Sequence, residues 1–259
     1  VEDNPTNREM LSRRLRRAGF NVLLAADGKQ AVELAAGRHP DAIVMDLNMP
    51  LMDGWEAARQ IKANAETAKI PIIALTAQAS PEERRRALQA GCDDYETKPV
   101  QFEQLLGKIG ALIKLGSGEP KDKTSKHSEA SAENLAPSAK HELITPLNQI
   151  IGFSEMLMEE VQAAKRLGFG ADLKRIHTAA WALLNDINEL LEARKTRSAP
   201  LPETELNHRI RTPLNDIMGF VEILQEHAFE EGADDLLPDL QKIRTAATDL
   251  LKVAQRYLL

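Results

Sequence analysis

The sequence predicts two folds in one chain: a doubly wound α/β domain with a parallel sheet over residues 1–115, and an all-α four-helix bundle made of two αα-hairpins after residue 137. Three observations carry this. In the first part, short runs of β-formers alternate with helical runs of about ten residues, which is the pattern of crossover units and a parallel sheet. In the second part, the sequence repeats without gaps at an offset of 67, the distance from His141 to His208. Between the two, residues 116–137 are mostly Gly, Ser, Lys, Glu, Asp, Ala and Pro, with Leu135 the only large apolar side chain. Such a segment buries nothing and reads as a flexible linker.

The elements follow in order. Asn7 to Ala18 has helical spacing, with Leu11, Leu15 and Ala18 on one face, and Gly19 ends it. Phe20 to Ala26 reads as a strand and Asp27-Gly28 as a turn. Gly28 to Ala36 is helical, Ile43 to Asp46 is a strand, and Gly54 to Ala63 is helical. Ile70 to Thr76 reads as a buried strand. Pro81 to Ala90 is a helix with Pro at its start and Ser80 as cap. Asp93 to Lys98 is the last strand and Phe102 to Leu115 the closing helix. The chain opens Val1-Glu2-Asp3, so most of a first strand is absent before Glu2; we read this as trimming.

Composition narrows the function classes. With 259 residues and 43% apolar content the chain supports one or two cores. Cys92 is the only cysteine, which rules out an internal disulfide or a cysteine-based zinc site and leaves it as a small buried filler. No apolar run approaches the ~18 residues of a membrane span and no signal-peptide pattern opens the chain. A cytoplasmic protein without a membrane partner is the expectation. Residues 1–115 carry 16 basic and 16 acidic side chains, so the net charge of −6 lies entirely in the rest. An acidic C-terminal part is poor material for gripping nucleic-acid phosphates, so no nucleic-acid partner is expected.

The chemistry gathers at strand ends. Ile43-Val44-Met45-Asp46 is an apolar run that stops at an acid and is followed by Pro50 and Gly54. Taken alone, Asp46 is either a turn cap or a reactive carboxylate facing a crevice. In a parallel sheet with short loops, however, Glu2, Asp3, Asp46, Thr76 and Lys98 all reach one crevice at the strands' carboxyl ends. Three carboxylates make a hard oxygen site for Mg²⁺. A hydroxyl and an ammonium suit the equatorial oxygens of a transferred phosphoryl group, and Asp46 is then the nucleophile that forms an acyl phosphate.

Glu2-Asp3, Met45-Asp46 with Asn48-Met49-Pro50 and Asp53-Gly54, Leu75-Thr76-Ala77, and Asp94-Tyr95-Glu96-Thr97-Lys98-Pro99 together resemble the receiver domain of two-component response regulators over residues 1 to about 115. The resemblance implies a flavodoxin-like sheet of five strands. It implies Mg²⁺ held by Glu2, Asp3, Asp46 and the backbone carbonyl of Asn48, with Asp46 as phosphoacceptor. It further implies Thr76 and Lys98 as phosphoryl ligands, and Thr76 with Tyr95 as the switch pair. Arg8, Arg13, Arg14, Arg16 and Arg17 on the first helix are expected to form a basic docking face.

In the repeated part, His141-Glu142-Leu143-Ile144-Thr145-Pro146-Leu147-Asn148 matches His208-Arg209-Ile210-Arg211-Thr212-Pro213-Leu214-Asn215. Each unit, 138–197 and 203–259, is two helical runs around a short break at Gly168-Phe169-Gly170 or Glu231 to Asp234. The link from Glu192 to Leu206 carries Pro200 and Pro202. A hairpin is too thin to bury its apolar face alone, and two together make a bundle. The His-Glu-Leu-x-Thr-Pro-Leu-Asn box resembles that of the dimerisation and histidine phosphotransfer domain of sensor histidine kinases. Such boxes normally occur once per chain and pair by homodimerisation; two in one chain point to an intramolecular pseudo-dimer, and the resemblance implies His141 as phosphoacceptor, Glu142 bonding its imidazole, and Thr145 orienting a water. In the second box the acid is Arg209, a phosphate-binding candidate, and the role of His208 stays open. His39, His127, His177 and His227 carry no motif.

No Asp-x-Gly-x-Gly or G-x-x-x-x-G-K-[ST] motif is present, so the chain as given is expected not to autophosphorylate from ATP. Three functional readings stay open. The first is a phosphorelay component exchanging phosphoryl between Asp46 and His141 or partner proteins. The second is a response regulator whose degenerate bundle binds a partner, and the third is the front of a hybrid histidine kinase. Expected partners are a sensor histidine kinase or histidine phosphotransfer protein, a downstream receiver or effector, and a second copy through the receiver or the bundle.

Overall fold

The computed structural model describes residues 1–77, 81–115, 137–195 and 203–258. The expectations for Ser80, for the linker with His127, and for Pro200 and Pro202 lie outside these residues. The chain divides into two compact units, Val1–Ala130 and Ser131–Leu259.

In the first unit, helix α1 (Pro5–Arg17) starts at Asn4, whose side chain accepts from the N–H groups of Thr6 and Asn7, with Pro5 at the first helical position. Helix α2 (Gly28–Arg38) is capped by Asp27, which accepts from Gln30 N–H. Strand β1 (Ile43–Asp46), helix α3 (Gly54–Ala63), strand β2 (Ile72–Thr76), helix α4 (Pro81–Gln89), strand β3 (Asp94–Thr97) and helix α5 (Phe102–Leu115) follow. The strands are parallel in the order β1-β2-β3, with Asp46 beside Leu75 and Thr76 beside Thr97. Side-chain alternation splits the core between the two faces. Ile72 and Ala74 pack with Ala31, Ala57 and Ile61 of α2 and α3, whereas Ile73 packs with Leu105 and Ile109 of α5.

The five-stranded expectation is corrected to three strands among the described residues. Phe20–Ala26 carries no strand and ends in a bend at Ala26. Val1 and Glu2 bridge this segment and β1: Glu2 N–H donates to Ala25 O (3.2 Å), Asp46 N–H donates to Val1 O (3.0 Å), and Val1 N lies 2.6 Å from Val44 O. Beyond these bonds Leu23 and β1 are separated by a cleft of about 470 Å³, lined among others by Leu11, Leu15, Phe20, Val22, Leu24 and Val44. Leu11 and Leu15, the expected buried face of α1, are therefore only half-buried, while Asn7, Met10, Ser12 and Arg14 are buried.

The second unit holds α6 (Pro137–Ala163), α7 (Gly170–Lys195), α8 (Glu203–Glu230) and α9 (Leu237–Tyr257), with a short 3-10 turn before α7 and before α9. Helix α6 packs on α7 and α9, and α8 packs on the same two. The apolar face of α6 runs through Leu143, Leu147, Ile150, Phe153 and Leu157 at helical spacing, and Leu173, Ile176, Ala180, Leu183 and Ile187 do the same on α7. The repeat is visible in side-chain contacts. Thr178 bonds Lys174 O as Thr245 bonds Gln241 O, and Arg175 pairs with Asp172 as Lys242 pairs with Asp239. No described helix is long and apolar enough to cross a membrane.

Candidate functional site

The carboxyl ends of the strands bring Asp46, Glu2 and Lys98 together. Lys98 Nζ lies 2.5 Å from Asp46 Oδ2 and 3.1 Å from Glu2 Oε2, and all three side chains are almost fully buried. Burial works against the ammonium, but the Glu2 and Asp46 carboxylates outweigh it and hold the Lys98 pKa above the usual lysine value. The other Asp46 oxygen accepts from Asn48 N–H (3.1 Å), and the second Glu2 oxygen accepts from Asn7 Nδ2 (3.0 Å). Arg8 Nη1 donates to the carbonyls of Glu2 (2.6 Å) and Asp3 (3.0 Å), which pins the acidic pair at the mouth.

Carboxylate oxygens of Glu2, Asp3 and Asp46 lie within 4.8 Å of one another. Three acids against the Lys98 ammonium and the Arg8 guanidinium still leave the pocket an excess of negative charge, and all the ligand atoms are hard oxygens, so the donor set fits Mg²⁺.

Thr76 is also buried, at the end of β2, and its hydroxyl donates to Glu83 Oε2 of α4 (2.6 Å). Tyr95 is half-buried, with the Arg84 guanidinium 5.8 Å and the Lys108 ammonium 5.4 Å from its ring centre. Lys108 also pairs with Glu96 (2.8 Å). The Asp53-Gly54 pair of the motif has a scaffold role. Asp53 caps α3 by accepting from Glu56 N–H (2.8 Å), and a Cβ on Gly54 would stand 2.2 Å from the Asp46 carbonyl oxygen. Only glycine allows α3 to start this close to the end of β1.

The expected basic face of α1 is reduced. Arg14 is buried with its guanidinium 4.2 Å over the Phe102 ring, and Arg8 is engaged with Glu2 and Asp3, leaving Arg16 and Arg17 exposed and Arg13 half-buried.

Sequence reasoning missed Asn7 and Glu83, and it assigned Arg8 to a docking face where the structure turns it to Glu2 and Asp3. The Asn4-Pro5 start signature fixes the helix phase that turns Asn7 and Arg8 toward Glu2, so those two were findable. Glu83 looks like any acid in a first helical turn, and nothing in the sequence singles it out.

In the helical unit the two histidine boxes differ. His141 is half-buried and Thr145 Oγ donates to the His141 carbonyl (2.9 Å). Glu142, which follows His141, accepts from Tyr257 OH (3.0 Å) and Arg256 Nη1 (3.3 Å) of α9. Neighbouring residues on a helix point apart, which explains why Glu142 reaches another helix. His208 is exposed, with Nδ1 3.0 Å from Thr212 Oγ1. Arg209, expected to be a phosphate binder, is instead held by Asp186 (Nε to Oδ1, 2.7 Å) and Glu189, and these bonds raise its pKa further.

Comparison with known proteins matches the first unit. Residues 1–110 match the family model for the response regulator receiver domain. Response regulator MprA of Mycolicibacterium vanbaalenii is 43% identical over 114 residues, which is 44% of this chain and 48% of that protein. The chain thus spans about half the length of the curated relatives it matches. Among solved structures, the receiver domain of sensor histidine kinase PA1611 from Pseudomonas aeruginosa PAO1, with magnesium coordinated in its active site cleft, is 43% identical over 44% of this chain and 93% of that one, with a TM-score of 0.42. The receiver domain of Saccharomyces cerevisiae Ssk1, crystallised with the histidine phosphotransfer protein Ypd1, is 36% identical over 44% and 86%, with a TM-score of 0.42. Residues 1–110 are a response regulator receiver domain of two-component signalling.

Proposed function

We propose that this chain is a phosphorelay protein in which Asp46 accepts a phosphoryl group in a Mg²⁺-dependent reaction and the tandem hairpins take part in His–Asp phosphotransfer. The observation that carries the first half is the buried convergence of Asp46, Glu2 and Lys98, with Asp3 at the mouth. An Asp46 carboxylate oxygen attacks the phosphorus of a phosphohistidine donor. The O–P bond forms as the donor's P–N bond breaks, and the electron pair returns to the imidazole nitrogen. Glu2, Asp3, Asp46 and the Asn48 carbonyl would hold a divalent ion, which would supply positive charge to the transferring oxygens. Lys98 contributes its ammonium to the same oxygens after leaving its present pairs. Thr76 reaches the phosphoryl group by exchanging its bond to Glu83, and Tyr95 responds as the second member of the switch.

For the helical unit we read α6–α7 and α8–α9 as two histidine kinase-type dimerisation hairpins joined into one pseudo-dimeric four-helix bundle, with His141 as phosphoacceptor and Glu142 and Thr145 beside it. The packing of each long helix on two others supports this reading. A histidine phosphotransfer protein or sensor kinase is the matching donor, by analogy with the Ypd1–Ssk1 pair, and the setting is cytoplasmic. The full chain should receive phosphoryl at Asp46 from a phosphorylated transfer protein and then yield acid-labile phosphohistidine that His141→Ala removes. Unchanged phosphohistidine in that variant contradicts the assignment.

A second reading keeps the receiver and makes the bundle a partner-binding module. The pairing of Glu142 with Arg256 and Tyr257 favours it, because a carboxylate so held is drawn away from imidazole chemistry. Absence of phosphohistidine, with a partner captured only by the phosphorylated chain, selects this reading. Within the first reading His208 is the alternative acceptor: it is exposed, and in the tautomer whose Nδ1–H donates to Thr212 its Nε2 keeps a lone pair for the phosphoryl group.

A further inference from the structure

Contacts between the two hairpins obey the 67-residue repeat. Phe153 on α6 meets Lys242 on α9, ring centre to ammonium 5.0 Å; the counterparts Phe220 on α8 and Arg175 on α7 meet at 5.3 Å. The chemistry is the same both times, so this contact suits any combination of hairpins. Another inter-hairpin pair reverses its sign. Glu142 on α6 meets Arg256 on α9 at 3.3 Å. The counterpart of Glu142 is Arg209, the counterpart of Arg256 is Glu189, and these two also meet, with Asp186 joining them. The first hairpin thus carries acids at both positions and the second carries arginines at both.

We propose that this sign-reversed pair is a pairing code that makes the first hairpin accept the second and reject a copy of itself. In a bundle of two first hairpins, Glu142 of each copy would face Glu189 and Asp186 of the other. In a bundle of two second hairpins, Arg209 would face Arg256. Only the mixed pairing places opposite charges at both positions. Charges flanking a helical interface choose partners in this way, because a wrong pairing loses attractions and gains repulsions at once. Arg209 and Glu142 are partly buried, at 24% and 34% side-chain exposure, whereas Arg256 and Glu189 are exposed at 66% and 70%, so salt screens the pairs in part and the selectivity is carried by repulsion in the wrong pairings as well as by attraction in the right one. The code accounts for Arg209 at the position where the first box has Glu142, and it stands whether or not either histidine carries phosphoryl.

The test uses the full chain with a protease site placed in the link between α7 and α8 and cut after folding. The cut protein is unfolded in denaturant and refolded, and native mass spectrometry counts mixed and like-with-like hairpin pairs. The wild type should return mixed pairs in preference by about tenfold or more. Glu142→Arg combined with Arg256→Glu keeps an ion pair at both places in the mixed bundle but gives each hairpin one acid and one base, so like pairing is no longer repelled. Its preference should fall to near the statistical mixture. A statistical mixture from the wild type, or undiminished selectivity in the double variant, overturns the proposal. In the uncut chain, Glu142→Arg alone should lower the melting temperature of the helical unit and added Arg256→Glu should restore it. Failure of that restoration counts against the code even if refolding of the cut protein is poor.

Discussion

Lys98 Nζ and Asp46 Oδ2 stand 2.5 Å apart across 52 residues of sequence, both buried, with Glu2 as the ammonium's second partner. Removing the ammonium leaves buried carboxylates without a counter-charge, the situation in which breaking an ion pair costs most. Lys98→Ala should lose about 3–5 kcal/mol of stability without divalent ions. Added Mg²⁺ should restore more stability to the variant than it adds to the wild type, since the ion takes over the missing positive charge. Thermal melts with and without Mg²⁺ check this.

The bond from Thr76 to Glu83 holds the Thr76 hydroxyl on α4. Glu83→Ala removes this bond, which an incoming phosphoryl group would otherwise have to displace. With a hydrogen bond worth roughly 0.5–1.5 kcal/mol, the equilibrium level of Asp46 phosphorylation should rise by a factor of about two to ten. An unchanged or lower level, measured at equal donor concentration, contradicts the latch.

Gly54 touches the Asp46 carbonyl so closely that a single methyl does not fit. Gly54→Ala should cost about 1–3 kcal/mol through displaced backbone. It should also slow Asp46 phosphorylation, because the carboxylate moves with its strand. Chemical denaturation and phosphorylation kinetics on the same sample read both.

Cys92 is buried in the core beside α3 and β2, and burial, with Asp93 adding to it, pushes its thiol up from 9.0 to about 11. The folded state therefore resists ionisation that the unfolded chain undergoes. The stabilisation is complete below pH 9 and is lost as pH rises from there through about 11. A thiol reagent at pH 8 should label Cys92 only at the rate of unfolding, and stability measured by denaturation should fall between those two pH values. Fast labelling of the native protein at pH 8 contradicts this.

Much of the receiver was legible because its signals are local. Helix starts at Asp27 and Asp53, the apolar run into Asp46 and the Pro81 start all act within a few residues, and α3 and α5 span the expected residues. The convergence of Asp46 and Lys98 followed from topology alone, since parallel strands share a carboxyl edge. What the sequence hid depends on contacts between distant residues. Phe20–Ala26 has the composition of a strand, yet strand assignment rests on pairing with a distant neighbour, which composition does not carry. The arginines of α1 look alike in sequence, yet Arg14 is under the protein surface against Phe102. The partner of Glu142 lies 114 residues away, and no spacing rule reaches that far.

The most direct measurement is intact mass of the full chain after incubation with a small phosphodonor and Mg²⁺, followed by mapping of the modified residue. Wild type should gain one phosphoryl group on Asp46 that hydroxylamine removes, Asp46→Asn should gain none, and withdrawal of Mg²⁺ should abolish the reaction. A folded wild type that stays unmodified, or a phosphoryl group that persists in Asp46→Asn, contradicts the assignment of Asp46 as the phosphoacceptor.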